Sequence, residues 1–185
     1  ILALYMQGMG VTDPGTLGWI LGIYFAASMI TRPLAGFVLE RFSLRRVMLA
    51  ASFLCLVSGA GVALAGSSVP LILLFRALTG LSSSLFLVGL TTYQVLAVPE
   101  KSRGSSFTLA SAGTIAPFIA LLPIAEALLR RGYFSVYIWS PLLPAILCLA
   151  VSITIPSDDD LNLGNVYWGS YPEVLKLNAS RTLLA

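Results

Sequence analysis

The chain contains no histidine in 185 residues. That absence removes the commonest general base, metal ligand and proton relay among side chains. Charge is nearly as scarce, at 10% of residues, against about 25% in a soluble domain. With 57% hydrophobic residues, there is too little polar surface to cover a water-facing globule, and lipid is the expected solvent. Cysteine is limited to Cys55 and Cys148, each alone in an apolar run. Two such thiols make neither a zinc site nor a disulfide framework, and read as small buried hydrophobes. No metal and no cofactor are expected. Paired acids and nucleophile–base pairs are also missing from the apolar runs, so no catalytic residue is expected and an intramembrane enzyme is the least favoured reading. The net charge of +3 does not point to nucleic acid. Most basic residues flank apolar runs, which is the pattern of membrane topology signals rather than of a phosphate-binding face.

What the chain has in quantity is apolar length. A bilayer core needs about 20 apolar residues as helix. Five runs qualify, at roughly 17–39, 47–66, 69–97, 106–129 and 133–156. Residues 1–9 read as the end of a preceding span. The connections are short, so sequential helices run antiparallel: Thr12 to Gly15, Glu40 to Arg46, Gly66 to Ser68, Pro99 to Ser105 and Arg130 to Gly132. Arg41, Arg45 and Arg46 in one turn, with Lys101 and Arg103 two spans later, place those turns in the cytosol. Arg130 and Arg131 are the exception to that bias. The chain opens inside an apolar run and closes on Leu183-Leu184-Ala185, which reads as an internal piece of a longer protein. Residues 1–156 form the transmembrane unit. Residues 157–185, with Asp158 to Asp160, Gly164, Gly169 and Pro172, read as a cytosolic linker. Asn178-Ala-Ser180 matches a glycosylation sequon, which on that side is chance.

The turn Gly36-Phe-Val-Leu-Glu40-Arg41-Phe-Ser43-Leu44-Arg45-Arg46 gives this apolar chain a specific resemblance. It is similar to the Gly-x-x-x-Asp-Arg-x-Gly-Arg-Lys-like signature between the second and third spans of major facilitator transporters. Glu40 stands for the usual Asp, Ser43 for the second Gly and Leu44 for the first basic residue. In the run from 69, Arg76-Ala-Leu-Thr-Gly80 resembles the family's Arg-x-x-x-Gly motif. Gly132-Tyr133-Phe-Ser-Val136-Tyr137 resembles the opening of a sixth span. The resemblance implies an all-α integral membrane bundle of two inverted three-helix repeats. The chain would be the N-terminal half, with the end of one span and about five full ones. The missing C-terminal half of the same chain is then a partner, with the lipid bilayer. In the fifth span the family's antiporter pattern, Gly-Pro-x-x-Gly-Gly, is reduced to Pro117; Ala116, Ala120 and Leu121 replace its glycines.

Charges inside spans are costly and default to functional hypotheses. Arg76 is followed by Gly80 and Ser84 at i+4 and i+8, a small polar stripe suited to a cavity wall or a close helix contact. The resemblance implies that Arg76 lines the central cavity and takes part in proton coupling; a snorkelled interfacial anchor is the alternative. Arg32 lies about 13 Å above the cytosolic turn at 1.5 Å per residue, and its side chain leans away from the cytosol, so it needs a partner. Pro33 frees the carbonyl of Met29 as one candidate. Tyr24 is polar enough to meet a substrate. Glu126 and Arg130 form an outer-face i,i+4 pair. The resemblance implies that Gly36, Glu40, Arg41 and Arg45 form a gating set; a plain positive-inside anchor is the alternative. Glu40 sits at a helix C-terminus, where the dipole disfavours an acid, and the resemblance implies a charge latch that holds the inner side closed. Gly18 and Gly22 form a GxxxG pair expected to pack tightly.

These readings converge on a secondary transporter of a small organic solute, proton-coupled, efflux or uptake open, working by alternating access in the cell membrane. An intramembrane arginine without a mid-membrane acid favours anionic or neutral solutes over cations. A non-transporting sensor or scaffold on the same fold is the alternative.

Overall fold

The computed structural model describes residues 2–8 and 10–155. The tail expected from 157 onward therefore lies outside the described residues, as do the side chains of Glu40, Ala116, Pro117 and Ala120. The described chain is helical from end to end: α1 Leu2–Gly8, α2 Pro14–Arg41, α3 Leu44–Leu64, α4 Val69–Ala97, α5 Arg103–Arg130, α6 Phe134–Trp139 and α7 Leu142–Thr154, with a 3₁₀ turn at Glu100–Ser102.

The start of each element follows from local chemistry. Asp13, in extended backbone, accepts from the Thr16 amide and the Thr16 hydroxyl, both at 2.7 Å. Pro14 fills the first helical turn, where its missing N–H costs nothing. These caps carry α2 three residues further out than the apolar run alone predicts. The hydroxyl bond from Thr16, seconded by its amide, holds the Asp13 carboxyl below the ordinary carboxylate range. Gly10, Gly66 and Gly132 turn the chain with φ of 91°, 57° and 80°, a region that favours glycine.

Four stretches of the described residues are long and apolar enough to cross a membrane: Pro14–Leu39, Leu44–Leu64, Val69–Ala97 and Phe134–Thr154. Helix α5, with 28 residues, spans about 42 Å at 1.5 Å per residue and is a fifth element of crossing length. The run expected to be continuous over 133–156 is interrupted. Pro141 has no N–H to donate and its ring excludes a regular turn before it. The Ser140 amide closes α6 on Val136 O and Tyr137 O at 3.1 and 3.2 Å, and α7 restarts at Leu142.

Helix α4 is the hub. It packs along α2 on one side and α3 on the other, and α3 in turn carries α7; α5 touches α4 and α6 lightly. Contacts at Gly80 with Tyr24 and at Ser84 with Ser28 advance together along both chains, so α2 and α4 run parallel. Gly61 meets Phe75, Ser58 meets Thr79 and Gly89 meets Met48, so α3 and α4 are antiparallel. The tightest neighbour of α2 is thus not the helix that follows it in sequence.

Apolar clusters close the two ends of the bundle. Tyr5, Met6, Leu17, Ile20, Ala65, Ile72, Leu129 and Ile138 pack at one end; Leu44, Met48 and Ile155 pack at the other. Between them the buried contacts are small and hydroxylic. Ser28, Thr31, Ser52, Ser58, Ser82, Ser84 and Ser152 are all buried. All of these hydroxyls but that of Ser28 find a partner among the described residues of the bundle, because lipid offers none. Thr31 donates to Ala27 O at 2.7 Å, Ser84 to Ser28 O at 3.1 Å, and Ser52 and Ser152 meet at 3.1 Å across α3 and α7. Large side chains face outward instead, Trp19 and Met29 being 71% and 78% exposed.

Candidate functional site

Helices α2 and α4 approach each other closely at Gly80. A Cβ there would collide with the Tyr24 carbonyl oxygen and crowd Ala27 Cβ at 3.2 Å. Only glycine lets α2 and α4 meet backbone to backbone at this level. One turn earlier on α4, Arg76 lies over the Tyr24 ring, its guanidinium carbon 4.9 Å from the ring centroid. The ring face is the negative pole of the aromatic quadrupole and stabilises the cation, by about 0.5–2 kcal/mol depending on desolvation. Tyr24 is held in turn by an edge-to-face contact with Phe25 at 5.1 Å.

Arg76 opens on a cavity of about 100 Å³ between α1, α3, α4 and the α6–α7 junction. Leu2, Gly59, Val62, Ile138 and Pro141 supply apolar wall; Thr79 and Tyr137 supply hydroxyls. The Thr79 hydroxyl is engaged, reaching Phe75 O at 2.8 Å and Ser58 Oγ at 3.1 Å. Tyr137 is set by its ring contact with Tyr5, 5.9 Å between centroids. Arg76 Nε is buried and has no hydrogen-bond partner among the described residues. A buried N–H without an acceptor costs about 1–3 kcal/mol, so the position is retained at the expense of stability.

Three of the four sequence-picked cavity residues, Tyr24, Arg76 and Gly80, therefore come together. Arg32 does not join them. It lies two turns further along α2, about 12 Å at 1.5 Å per residue, and is exposed. The partner expected for it is not made by any described residue. Met29, whose carbonyl Pro33 frees, is also exposed. Thr79 was within reach of sequence reasoning, at i+3 from Arg76. Tyr137 carried no spacing signal toward Arg76, because it arrives from a helix more than fifty residues later.

The charged turn is arranged differently from a simple pair of neighbours. Arg45 reaches across to α7 and donates from Nη2 to Ile153 O at 2.9 Å. A cation from the start of α3 thus meets the negative end of α7, where it is favoured. Arg41 and Arg46 are exposed. The Glu40 side chain lies outside the described residues, so its partner is not assigned. Gly36 has nothing within 4 Å of the point where a Cβ would stand, and Gly18 and Gly22 are equally open. The tight packing expected at Gly18 and Gly22 occurs instead at Gly80, Gly61 and Gly89. Gly15, Gly18 and Gly22 line an open groove of about 460 Å³ with Trp19, Ile23 and Ala26. The reason is that α4 covers the side of α2 carrying Tyr24, Ala27 and Ser28 and leaves the GxxxG face uncovered.

At the opposite end, Arg130 donates to Glu126 Oε1 from Nη2 at 2.7 Å and from Nε at 3.0 Å. The two side chains are 78% and 47% exposed, which limits the pair to a few tenths of a kcal/mol, about 0.3–0.5. Among the described residues, no three His, Cys, Asp or Glu side chains gather to hold a metal ion.

No curated protein matches the chain. The family described as Major Facilitator Superfamily matches residues 1–167. That match covers most of the chain and agrees with the helical bundle, the charged turn after α2 and the arginine–glycine pair on α4, so the chain belongs to the Major Facilitator Superfamily, whose members are membrane transporters.

Proposed function

We propose that the chain is the N-terminal half of a secondary transporter that moves a small organic solute by alternating access, coupled to protons. The observation that carries this reading is the Arg76 cavity. A cation stands inside an apolar bundle over Tyr24 and lines a partly polar cavity, with no acid paired to it among the described residues. An intramembrane charge without a structural partner is the usual mark of a substrate or ion pathway. Gly80 supports it, because the helix contact it permits fixes the height of Arg76 one turn away. Proton coupling and the inward-side latch at Gly36, Glu40, Arg41 and Arg45 are carried over from the family resemblance. The bond from Arg45 to the end of α7 favours a turn that ties helices together at that face. In this reading the protein lies in the cell membrane with residues 157–185 in the cytosol.

The test uses the full-length protein in inverted membrane vesicles under an imposed pH gradient. Pooled solutes are added and dissipation of the gradient is recorded for wild type and Arg76→Ala. Solute-dependent dissipation that disappears in the variant supports a proton-coupled carrier with Arg76 in the path. Equal responses return Arg76 to the role of an interfacial anchor. Silence of a folded wild type across the panel argues for the sensor reading.

A further inference from the structure

We infer that the Arg76 cavity is a binding site for a small organic monocarboxylate. The inference deepens the transporter reading and rests on it for its place in a transport path. It begins with charge. Arg76 is a permanent cation, and no acid among the described residues faces it. Glu126 is occupied by Arg130, and Asp13 is occupied by Thr16 at the outer cap of α2. Tyr24 supports the guanidinium from one face without accepting its hydrogens. The Nε–H is left with no acceptor. The group that completes this arrangement is an anion lying against the guanidinium on its cavity side, and a planar one, because guanidinium offers parallel N–H groups that match the two oxygens of a carboxylate.

The walls specify the rest of the ligand. Tyr137 can supply a hydroxyl donor to the same anion, since both it and Arg76 line the cavity. Thr79 is engaged with Phe75 O and Ser58 Oγ and adds little. The remaining lining, Leu2, Val62, Ile138 and Pro141, is apolar. It would receive a short hydrocarbon portion and disfavours a second charge. The cavity measures about 100 Å³, whereas one water needs only about 10–15 Å³. A carboxylate with a short carbon chain fits that space, and a dicarboxylate would bury an unpaired charge.

The test measures equilibrium binding to the purified full-length protein by scintillation proximity, with radiolabelled acetate, lactate and benzoate. Acetamide, lactamide and benzamide compete as neutral counterparts, and chloride and phosphate compete as inorganic anions. Binding of at least one acid that its amide and the inorganic anions fail to displace is expected. Arg76→Gln should weaken it by about tenfold or more, the loss of a charge-assisted pair. Tyr137→Phe, which keeps the ring contact with Tyr5, should weaken it by about three- to tenfold. Should Arg76→Gln fail to fold, Tyr137→Phe and Arg76→Lys decide: unchanged affinity in both overturns the site. Displacement by amides, chloride or phosphate as effective as by acids overturns the carboxylate class. Flux in proteoliposomes is read separately. Carboxylate binding without any flux leaves this site standing and removes the transporter reading. Flux of other solutes, with carboxylates neither bound nor competing, removes this site and leaves the transporter reading.

Discussion

Replacing Gly80 with alanine perturbs the point on which the site's geometry depends. The added Cβ meets a backbone carbonyl, that of Tyr24, and not the end of a flexible side chain. A backbone oxygen cannot rotate away, so α2 and α4 must separate. Overpacking of this kind costs about 1–3 kcal/mol. The separation also strains the bond from Ser84 to Ser28 O, one turn on at 3.1 Å, worth about 1 kcal/mol. Alanine returns about 1 kcal/mol of helix propensity over glycine. The net expectation is a loss of about 1–3 kcal/mol, or roughly 2–12 °C in Tm for a chain of this size. Thermal unfolding in detergent, followed by tryptophan fluorescence, measures it. Gly36→Ala is the matched control, since nothing stands within 4 Å of its Cβ position; it should gain up to about 1 kcal/mol. Gly61→Ala should fall between the two, because its obstacle is the Phe75 ring, which can turn. A Gly80→Ala protein as stable as Gly36→Ala would refute the close approach, and with it the placement of Arg76 over Tyr24.

Arg45→Gln removes the donor to Ile153 O and should cost about 0.5–1.5 kcal/mol, with faster hydrogen exchange confined to the last turn of α7; unchanged exchange there would refute the tie. Glu126→Gln should leave stability within about 0.5 kcal/mol of wild type, and a larger loss in unfolding assays would mean that the pair serves more than the surface. The depressed Asp13 carboxyl contributes stability that is present above its unfolded pKa and is lost as pH falls through the lower folded value. Asp13→Asn should therefore flatten the acid side of the stability–pH curve and leave its neutral side parallel to wild type; a curve that keeps its acid slope would remove Asp13 as its source.

How much of this was legible in the sequence depended on the range of the interaction. Composition alone required lipid, and apolar run length set the helices to within a few residues, because both depend on local transfer of side chains and backbone out of water. Caps and breakers then adjusted the ends. Asp13 with Pro14 lengthened α2, and Pro141 split the last span into α6 and α7. The charged turn and the Arg76–Gly80 spacing carried the family. What the sequence left undecided was which faces meet. Gly18-x-x-x-Gly22 looked as suited to close packing as Gly80, and only the bundle chose, by laying α4 parallel on α2 at Tyr24, Ala27 and Ser28. The sequence offered both Arg32 and Arg76 as intramembrane cations for one cavity; burial and the Tyr24 ring kept only Arg76 there. Tyr137 joined Arg76, and Arg45 reached Ile153, across 61 and 108 residues of chain. Local periodicity fixes the direction of a side chain about its own helix axis, but not which helix will stand opposite, and that is decided only when the helices exclude lipid from one another.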